Sequence, residues 1–262
     1  MQRTAVVTGG AHGLGQASAL RLATDNRVIA IWDRDTDGAV ETVDRIEVAG
    51  GTAIACTVDV SCEQTMRDAL QETHDRLGAV DILVNAAGII GADATVLETP
   101  IQEWHDVLAV NLTGTYVACR LVVSEMASRG WGRIVNFTSH ARRGTPSLIP
   151  YSVSKAGLVP LTRALALEFT SSGVLVNAVQ PGRAMTDMVL SRVPPEVVRD
   201  PSVAIGRYAE PEEVAEVVAF LCASHKRCMP LLVGWSFAVA RSQRRYASCS
   251  SVIATSMLRR KA

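Results

Sequence analysis

Short apolar runs alternate with longer, polar-interrupted segments along the first 224 residues of the chain. The short runs are rich in Val, Ile and Ala and are apolar on both faces, a pattern typical of strands in a parallel sheet that is covered on each side. Strands are predicted over residues 4–8, 27–33, 52–58, 82–86, 133–138 and 174–179. Helices are predicted over residues 14–24, 36–49, 62–77, 101–129 with a break near Asn111, 151–170 and 210–224.

This alternation predicts an α/β fold class, because parallel strands need helical crossovers between them. The expected architecture is a Rossmann-like, doubly wound parallel sheet with helices on both faces, in three α/β/α layers. No linker interrupts residues 1–224, so we expect them to form a single domain. Ligands of such sheets bind at the carboxyl ends of the strands, so the candidate functional residues are sought directly after each apolar run.

The chain's 26 basic and 26 acidic side chains cancel, but they are distributed unevenly. Residues 225–262 hold eight Lys or Arg and no acid, so the preceding 224 residues carry a net charge of −8. We expect residues 225–262 to form a divergent strand and a partly disordered basic tail. A basic tail can bind nucleic acid or an anionic membrane, but a shifted reading frame or a divergent extension is the favoured interpretation, so neither partner is expected.

Other features favour a cytoplasmic location. No apolar run approaches the roughly 18 residues of a membrane span, and the N-terminal residues lack the pattern of a secretory signal. The six cysteines form no C-x-x-C pair and have no metal-ligand spacing with the five histidines, so no metal site is expected.

A glycine-rich turn, TGGAHGLG, follows the first strand at residues 8–15 and opens a helix. Glycines at 9, 13 and 15 let backbone amides approach a pyrophosphate, and the helix N-terminus adds partial positive charge. The second strand ends in Asp33, whose carboxylate can accept hydrogen bonds from ribose hydroxyls and would repel a 2′-phosphate. These residues predict a dinucleotide site that favours NAD(H), with NADP(H) left possible because Arg34 is adjacent.

Lys155 is the only lysine in the first 225 residues, where the other seventeen Lys or Arg positions are all arginine. Tyr151 precedes it by four residues, so both side chains lie on one face of the predicted helix. A nearby ammonium favours the phenolate, and we therefore expect Lys155 to lower the pKa of Tyr151 from about 10 toward a useful value for proton transfer.

Together these motifs resemble the short-chain dehydrogenase/reductase family over residues 3–224. The resemblance rests on seven segments in the family's order: TGGAHGLG (8–15), Asp59-Val60, Asn85-Ala86-Ala87-Gly88, Asn111 within VLAVNLTGTY, GRIVNFTS (132–139), YSVSK (151–155) and PGRAMT (181–186). The resemblance implies a catalytic set of Asn111, Ser139, Tyr151 and Lys155. Thr138 is an alternative to Ser139, because the usual spacing to the tyrosine would select it.

The resemblance also implies which residues contact the cofactor. They are Gly9, His12, Gly13, Leu14, Gly15, Asp33, Arg34, Asp59, Val60, Asn85, Ala86, Gly88, Tyr151, Lys155, Pro181, Gly182, Ala184 and Thr186. His140, Arg142 and Arg143 either meet a polar or anionic substrate group or are solvated. The segment 186–204 has the position of a lid, and its apolar residues favour a moderately hydrophobic substrate.

The predicted function is NAD(H)-dependent hydride transfer between nicotinamide and a secondary alcohol or ketone. The alternatives are an NADPH-dependent 3-oxoacyl thioester reductase, as for acyl carrier protein substrates, and a catalytically idle dinucleotide sensor or scaffold. The partner expected is a small alcohol or ketone. The resemblance also implies a homodimer or homotetramer, although the divergent C-terminus puts the tetramer in question.

Overall fold

The computed structural model describes residues 2–192 and 206–223. Within these ranges, six strands form one sheet in the order β3-β2-β1-β4-β5-β6, and every pairing is parallel. The strands are β1 (Arg3–Thr8), β2 (Arg27–Asp33), β3 (Thr52–Thr57), β4 (Val80–Asn85), β5 (Gly132–Phe137) and β6 (Val174–Val179). Each lies within two residues of its predicted bounds.

Helices cover both faces of the sheet. They are α1 (Gly13–Ala23), α2 (Thr36–Val48), α3 (Glu63–Leu77), α4 (Ile101–Leu108), α5 (Gly114–Ser128), α6 (Ile149–Phe169), α7 (Asp187–Leu190) and α8 (Pro211–Leu221). One hydrophobic core lies between the sheet and α3, α5 and α6, and a second lies between the sheet and α1, α2 and α8. The predicted doubly wound, three-layer α/β fold is therefore confirmed.

The helix predicted over residues 101–129 is continuous rather than broken. A π-helical turn, Ala109–Thr113, joins α4 to α5 and contains Asn111. Such turns insert one extra residue and are frequent at functional sites. By length and composition, the combined helix Ile101–Ser128 could cross a membrane. Its apolar side chains have a simpler explanation, because Val117, Val122 and Met126 are buried in the core.

The carboxyl ends of the strands are aligned at the boundary between β1 and β4. The chain adds β2 and β3 on one side of this boundary and β5 and β6 on the other. Thr8 of β1 pairs with Trp32 of β2 and with Asn85 of β4, and Asn85 pairs with Asn136 of β5. The loops after β1 and β4 therefore diverge from neighbouring strands and leave a crevice between them.

The late helix predicted over residues 210–224 begins at Pro211, and a capping box between Glu210 and Glu213 fixes its start. Of the predicted lid, the structure describes residues 186–192, which contain the single-turn helix α7. The rest of the lid, the divergent strand and the basic tail lie outside the described residues.

Candidate active site

A cleft of about 830 Å³ lies over the carboxyl ends of the strands, at the crevice between β1 and β4. Its volume is within the range of small-molecule and cofactor sites. Most of the predicted site residues line it: Gly9, His12, Gly13, Leu14, Gly15, Asp33, Arg34, Asp59, Val60, Ala86, Gly88, Thr138, Ser139, Tyr151, Lys155, Pro181, Gly182, Ala184 and Thr186. Asn85 and Asn111 do not line it.

The glycine turn lies against the backbone of two other segments. Gly9 has φ +67°, and a Cβ at this position would lie 2.6 Å from the Cα of Ala87. A Cβ on Gly15 would lie 2.0 Å from the Gly9 carbonyl oxygen. The turn then leads into α1, whose N-cap residue His12 makes no side-chain capping bond. The first-turn amides of α1 thus have no side-chain cap, as a cradle for a pyrophosphate requires.

The end of the cleft beside β2 is acidic, and its basic groups are near acids. Asp33 accepts hydrogen bonds from the amides of Ala11 (3.0 Å) and Asp35 (3.0 Å), so it fixes the glycine turn and the start of α2. The His12 Nε2 lies 2.6 Å from an Asp35 carboxylate oxygen. Arg34 is close enough to Asp59 to help hold the pKa of that carboxyl low, after the hydrogen bonds from Ser61 that have the largest effect.

Tyr151 and Lys155 face the same part of the cleft from α6. The Lys155 Nζ lies 5.8 Å from the centroid of the Tyr151 ring and donates to the Phe137 carbonyl at 3.0 Å. Lys155 is 5% exposed. Burial lowers the pKa of Lys155 to about 8, because an ammonium loses hydration inside the protein.

The pKa of Tyr151 does not shift in the direction expected from the sequence. Burial raises the pKa of Tyr151, and a hydrogen bond with Ser139 and the charge of Arg192 oppose that rise. The pKa of Tyr151 is therefore raised overall, and the expectation that it is lowered is wrong. The physical reason is that desolvation of the phenolate outweighs the opposing interactions.

The structure separates the two candidate hydroxyls after β5. Ser139 is close enough to the Tyr151 phenol to oppose the rise of its pKa, and the Ser139 Oγ accepts from the amide of Ala141 at 3.2 Å. Thr138 instead donates its hydroxyl to the Val179 carbonyl of β6 at 3.1 Å and is 5% exposed. The Ser139 hydroxyl is therefore the one beside the phenol, whereas that of Thr138 links the segment after β5 to β6.

Asn111 is fully buried behind the cleft rather than on its wall. Its amide donates to the Ile89 carbonyl (2.8 Å) and to Ser154 Oγ (3.0 Å), and its Oδ1 accepts from the Ile89 amide at 2.8 Å. A Cβ on Gly88 would lie 3.1 Å from the Asn111 Oδ1 and 3.3 Å from the Lys155 Nζ. Asn111 and Lys155 therefore both lie next to Gly88, where an added Cβ would crowd their polar atoms.

Asn85 also does not line the cleft, and its contact with the cofactor stays a prediction. Its amide donates to Asn136 Oδ1 at 2.8 Å, and the Asn136 amide donates to Thr162 Oγ1 at 2.9 Å. These buried side chains link β4, β5 and α6 in a polar ladder. Asn85 therefore supports the strands that carry the site.

Several polar cleft residues were not singled out as functional from the sequence, and Arg183 and Tyr208 are two of them. Arg183 donates to the Tyr208 hydroxyl at 3.1 Å, and both residues line the cleft. Arg183 lies within the PGRAMT segment, so its position in a loop after β6 was the available signal. Tyr208 is distant in sequence and reaches the site because residues 183–185 and Ala209 exchange backbone hydrogen bonds.

The fold and the cleft define a dinucleotide-binding protein of the doubly wound class. Residues 3–196 match the family model for short chain dehydrogenases. The chain belongs to the short-chain dehydrogenase/reductase family, and it is an oxidoreductase of that family.

Relatives in the family differ in substrate. A 3-oxoacyl-[acyl-carrier-protein] reductase from Synechocystis sp. is 36% identical over 221 residues, which cover 84% of this chain and 88% of the relative. A 2-dehydro-3-deoxy-L-rhamnonate dehydrogenase (NAD(+)) from Sphingomonas sp. is also 36% identical, over 84% of this chain and 87% of the relative. The crystal structure of an actinorhodin polyketide ketoreductase with NADPH matches with a TM-score of 0.85 and 34% identity, covering 91% of this chain and 98% of that one.

Proposed function

We propose that this protein is an NAD(H)-dependent oxidoreductase acting on a secondary alcohol or ketone. The observation that carries the proposal is the placement of the Tyr151 phenol and the Lys155 ammonium, 5.8 Å from ring centroid to Nζ, on one wall of the dinucleotide cleft. Bound nicotinamide supplies or accepts the hydride. The chain must then hold the substrate oxygen and move one proton to or from it.

Tyr151 is the group that moves this proton. Its raised pKa keeps the phenol protonated, which suits a proton donor to a ketone. Ser139, beside the phenol, donates to the substrate oxygen and stabilises the charge that develops there. Lys155 binds the ribose hydroxyls, and Asn111 keeps the Ile89 backbone and Ser154 in place behind it.

The preference for NAD(H) rests on the acidic end of the cleft. Asp33, Asp35 and Asp59 would repel a 2′-phosphate, and the two basic residues that would bind it are near acids, His12 beside Asp35 and Arg34 near Asp59. The relative from Sphingomonas sp. is named as an NAD(+) enzyme, which is consistent with this preference.

NADPH-dependent reduction of a 3-oxoacyl thioester is the second candidate. The relative from Synechocystis sp. carries that activity in its name, and the actinorhodin ketoreductase was crystallised with NADPH. Arg34 lines the cleft beside Asp33 and favours this candidate, because it is a cation near the expected 2′ position.

We further propose a homodimer or homotetramer. Four large apolar side chains are exposed on α5 and α6: Tyr116 (48%), Ile149 (38%), Val153 (41%) and Leu167 (76%). Helices with such faces bury them when subunits pair. Sedimentation equilibrium measures the assembly, and a monomer at micromolar concentration would contradict the proposal.

A turnover assay separates the candidates. The protein is mixed with NADH or NADPH and a panel of ketones that includes 3-oxoacyl thioesters, and absorbance of the reduced cofactor is followed. We expect at least tenfold higher kcat/KM with NADH, and Asp33→Asn should shift that ratio toward NADPH. Asp37→Asn, on the exposed first turn of α2, is the matched control and should leave the ratio unchanged. A preference for NADPH identifies the second candidate, and cofactor binding without turnover identifies an idle sensor.

A further inference from the structure

The charge of the side chains that line the cleft changes sign along its length. Its cofactor end carries the carboxylates of Asp33, Asp35 and Asp59. The half beyond Tyr151, which we call the substrate half, is lined by the guanidinium groups of Arg183 and Arg192. Asp187 is the one acidic residue among the described residues that line this half. Because residues 1–224 have a net charge of −8, the substrate half is a local reversal of the protein's charge.

Arg192 links two loops that border the substrate half. It follows α7, and its guanidinium donates to the backbone carbonyl of Gly91, in the loop after β4. Within residues 2–192 and 206–223, no carboxylate forms a salt bridge with it. A guanidinium has five N–H donors, so this contact leaves several of them for a ligand.

Arg183 is held in place on the same half. It donates to the Tyr208 hydroxyl at 3.1 Å, and its guanidinium carbon lies 5.6 Å from the centroid of the Tyr208 ring. Tyr208 is 1% exposed, so the contact anchors Arg183 to a fixed residue. Burial first, and then the charges of Arg183 and Arg143, lower the pKa of His140, so His140 stays neutral at pH 7 and does not add to the positive charge.

We propose that the substrate is a short oxo acid or hydroxy acid whose anionic group binds Arg192 and Arg183 while its reacting carbon lies at Tyr151. The inference rests on the proposed function and names the substrate class. Guanidinium groups suit carboxylates because their planar fork offers two parallel hydrogen bonds.

The anionic group must be only a few bonds from the reacting carbon. Arg192 is close enough to the Tyr151 phenol for its charge to act on the phenol's pKa. An anion bound to Arg192 is therefore close to the phenol as well. The phosphates of a coenzyme A thioester lie at the far end of a long pantetheine chain, which would place them beyond this region.

The test compares three substrates that share one 3-oxo group: acetoacetate, its neutral methyl ester and acetoacetyl-coenzyme A. We expect kcat/KM for acetoacetate to exceed that for the ester by about tenfold to a hundredfold, since a hydrogen bond to a charged group is worth about 1.5–3 kcal/mol. Arg192→Gln and Arg183→Gln should each remove most of this preference, measured as the ratio of kcat/KM for the acid to kcat/KM for the ester within one variant. Arg163→Gln, an exposed position on α6 outside the cleft, is the matched control and should preserve the preference.

Equal kcat/KM for acid and ester would overturn the inference, as would a preference for acetoacetyl-coenzyme A that Arg192→Gln does not reduce. If none of the three is reduced with either cofactor, the proposed function fails for this class of ketone, and binding then decides the inference. Calorimetric titration of the NAD-loaded protein should show acetoacetate binding more tightly than the ester, with the difference lost in Arg192→Gln. Equal affinities in that titration would overturn it.

Discussion

Lys155 on α6 donates its ammonium to the carbonyl of Phe137, the last residue of β5, at 3.0 Å. This bond fixes the side chain at the strand end, one helical turn from Tyr151. The ammonium is thus held by the scaffold before any ligand binds. The same arrangement keeps Lys155 buried, so its charge is costly until a ligand adds polar partners.

Tyr151→Phe removes the proton-transferring hydroxyl and little else. We expect kcat to fall on the order of 10²–10⁴-fold, the usual contribution of a positioned general acid. Cofactor affinity, followed by fluorescence titration, should stay within a few-fold. Tyr116→Phe, at a half-exposed position on α5, is the control. An unchanged kcat in Tyr151→Phe would remove the basis of the proposed function.

Ser139→Ala and Thr138→Val test which hydroxyl acts on the substrate. Ser139→Ala should lower kcat on the order of 10²–10³-fold, as loss of a donor to developing charge does. Thr138→Val removes the bond to the Val179 carbonyl and should instead lower the free energy of unfolding by about 1–3 kcal/mol, because it leaves a buried carbonyl with one partner fewer. Urea unfolding and steady-state kinetics measure the two effects, and the reverse pattern would assign the catalytic hydroxyl to Thr138.

Gly9→Ala should disrupt the glycine turn through contact with the segment that follows β4. The added Cβ would lie 2.6 Å from the Cα of Ala87, and backbone there cannot yield without moving the strand end. We expect the Kd for NAD to rise more than tenfold. Gly78→Ala is a matched control, because Gly78 also has a positive φ (+84°) but its Cβ would meet nothing within 4 Å.

Gly78→Ala should cost about 1–3 kcal/mol of stability, because a Cβ is disfavoured at φ 84° and ψ −169°, and should leave the Kd unchanged. Equal Kd values in the two variants would show that close approach to Ala87 does not matter for binding.

The low pKa of Lys155 makes stability depend on pH. Burial lowers it from 10.5 to about 8, so between these values the unfolded chain binds more protons than the folded one. The contribution of Lys155 to the free energy of unfolding therefore rises as pH increases from about 8 to 10.5, by at most about 3 kcal/mol. Relative to Lys155→Met, the wild type should gain stability between pH 8 and 10.5.

A direct titration checks the same prediction without relying on the variant's stability. The chain has only three lysines, at positions 155, 226 and 261, so selective isotope labelling gives three resonances, and Lys155→Met assigns one of them. That resonance should titrate near pH 8. A midpoint near 10.5 would show that the ammonium is hydrated in the folded protein.

Local patterns were sufficient to predict the fold and most of the cleft. Strands such as residues 27–33 are apolar on both faces because they are buried in the middle layer. This pattern can be recognised in the sequence without knowing which strands pair with each other. The glycine turn and the Tyr151–Lys155 spacing were equally local. Each of these two motifs lies on the cleft wall in the structure.

What the sequence did not predict depends on contacts between distant segments. Asn85 lies in a ladder with Asn136 and Thr162, and its orientation is decided by strand and helix neighbours that spacing does not specify. The raised pKa of Tyr151 results from the depth of burial, which a four-residue spacing cannot supply. Arg192 is held at the site by its hydrogen bond to the carbonyl of Gly91, which lies about 100 residues earlier in the chain.

The π-helical turn at Ala109–Thr113 sets the angular phase between two halves of one long helix. Each residue of a helix advances the side chains by about 100°, so deleting one residue from this turn would regularise the backbone but rotate one half against the other. Either Asn111 would turn away from Ile89, or Val117, Val122 and Met126 would turn out of the core. The irregular turn therefore allows one continuous helix to place apolar side chains in the core and Asn111 at the polar site.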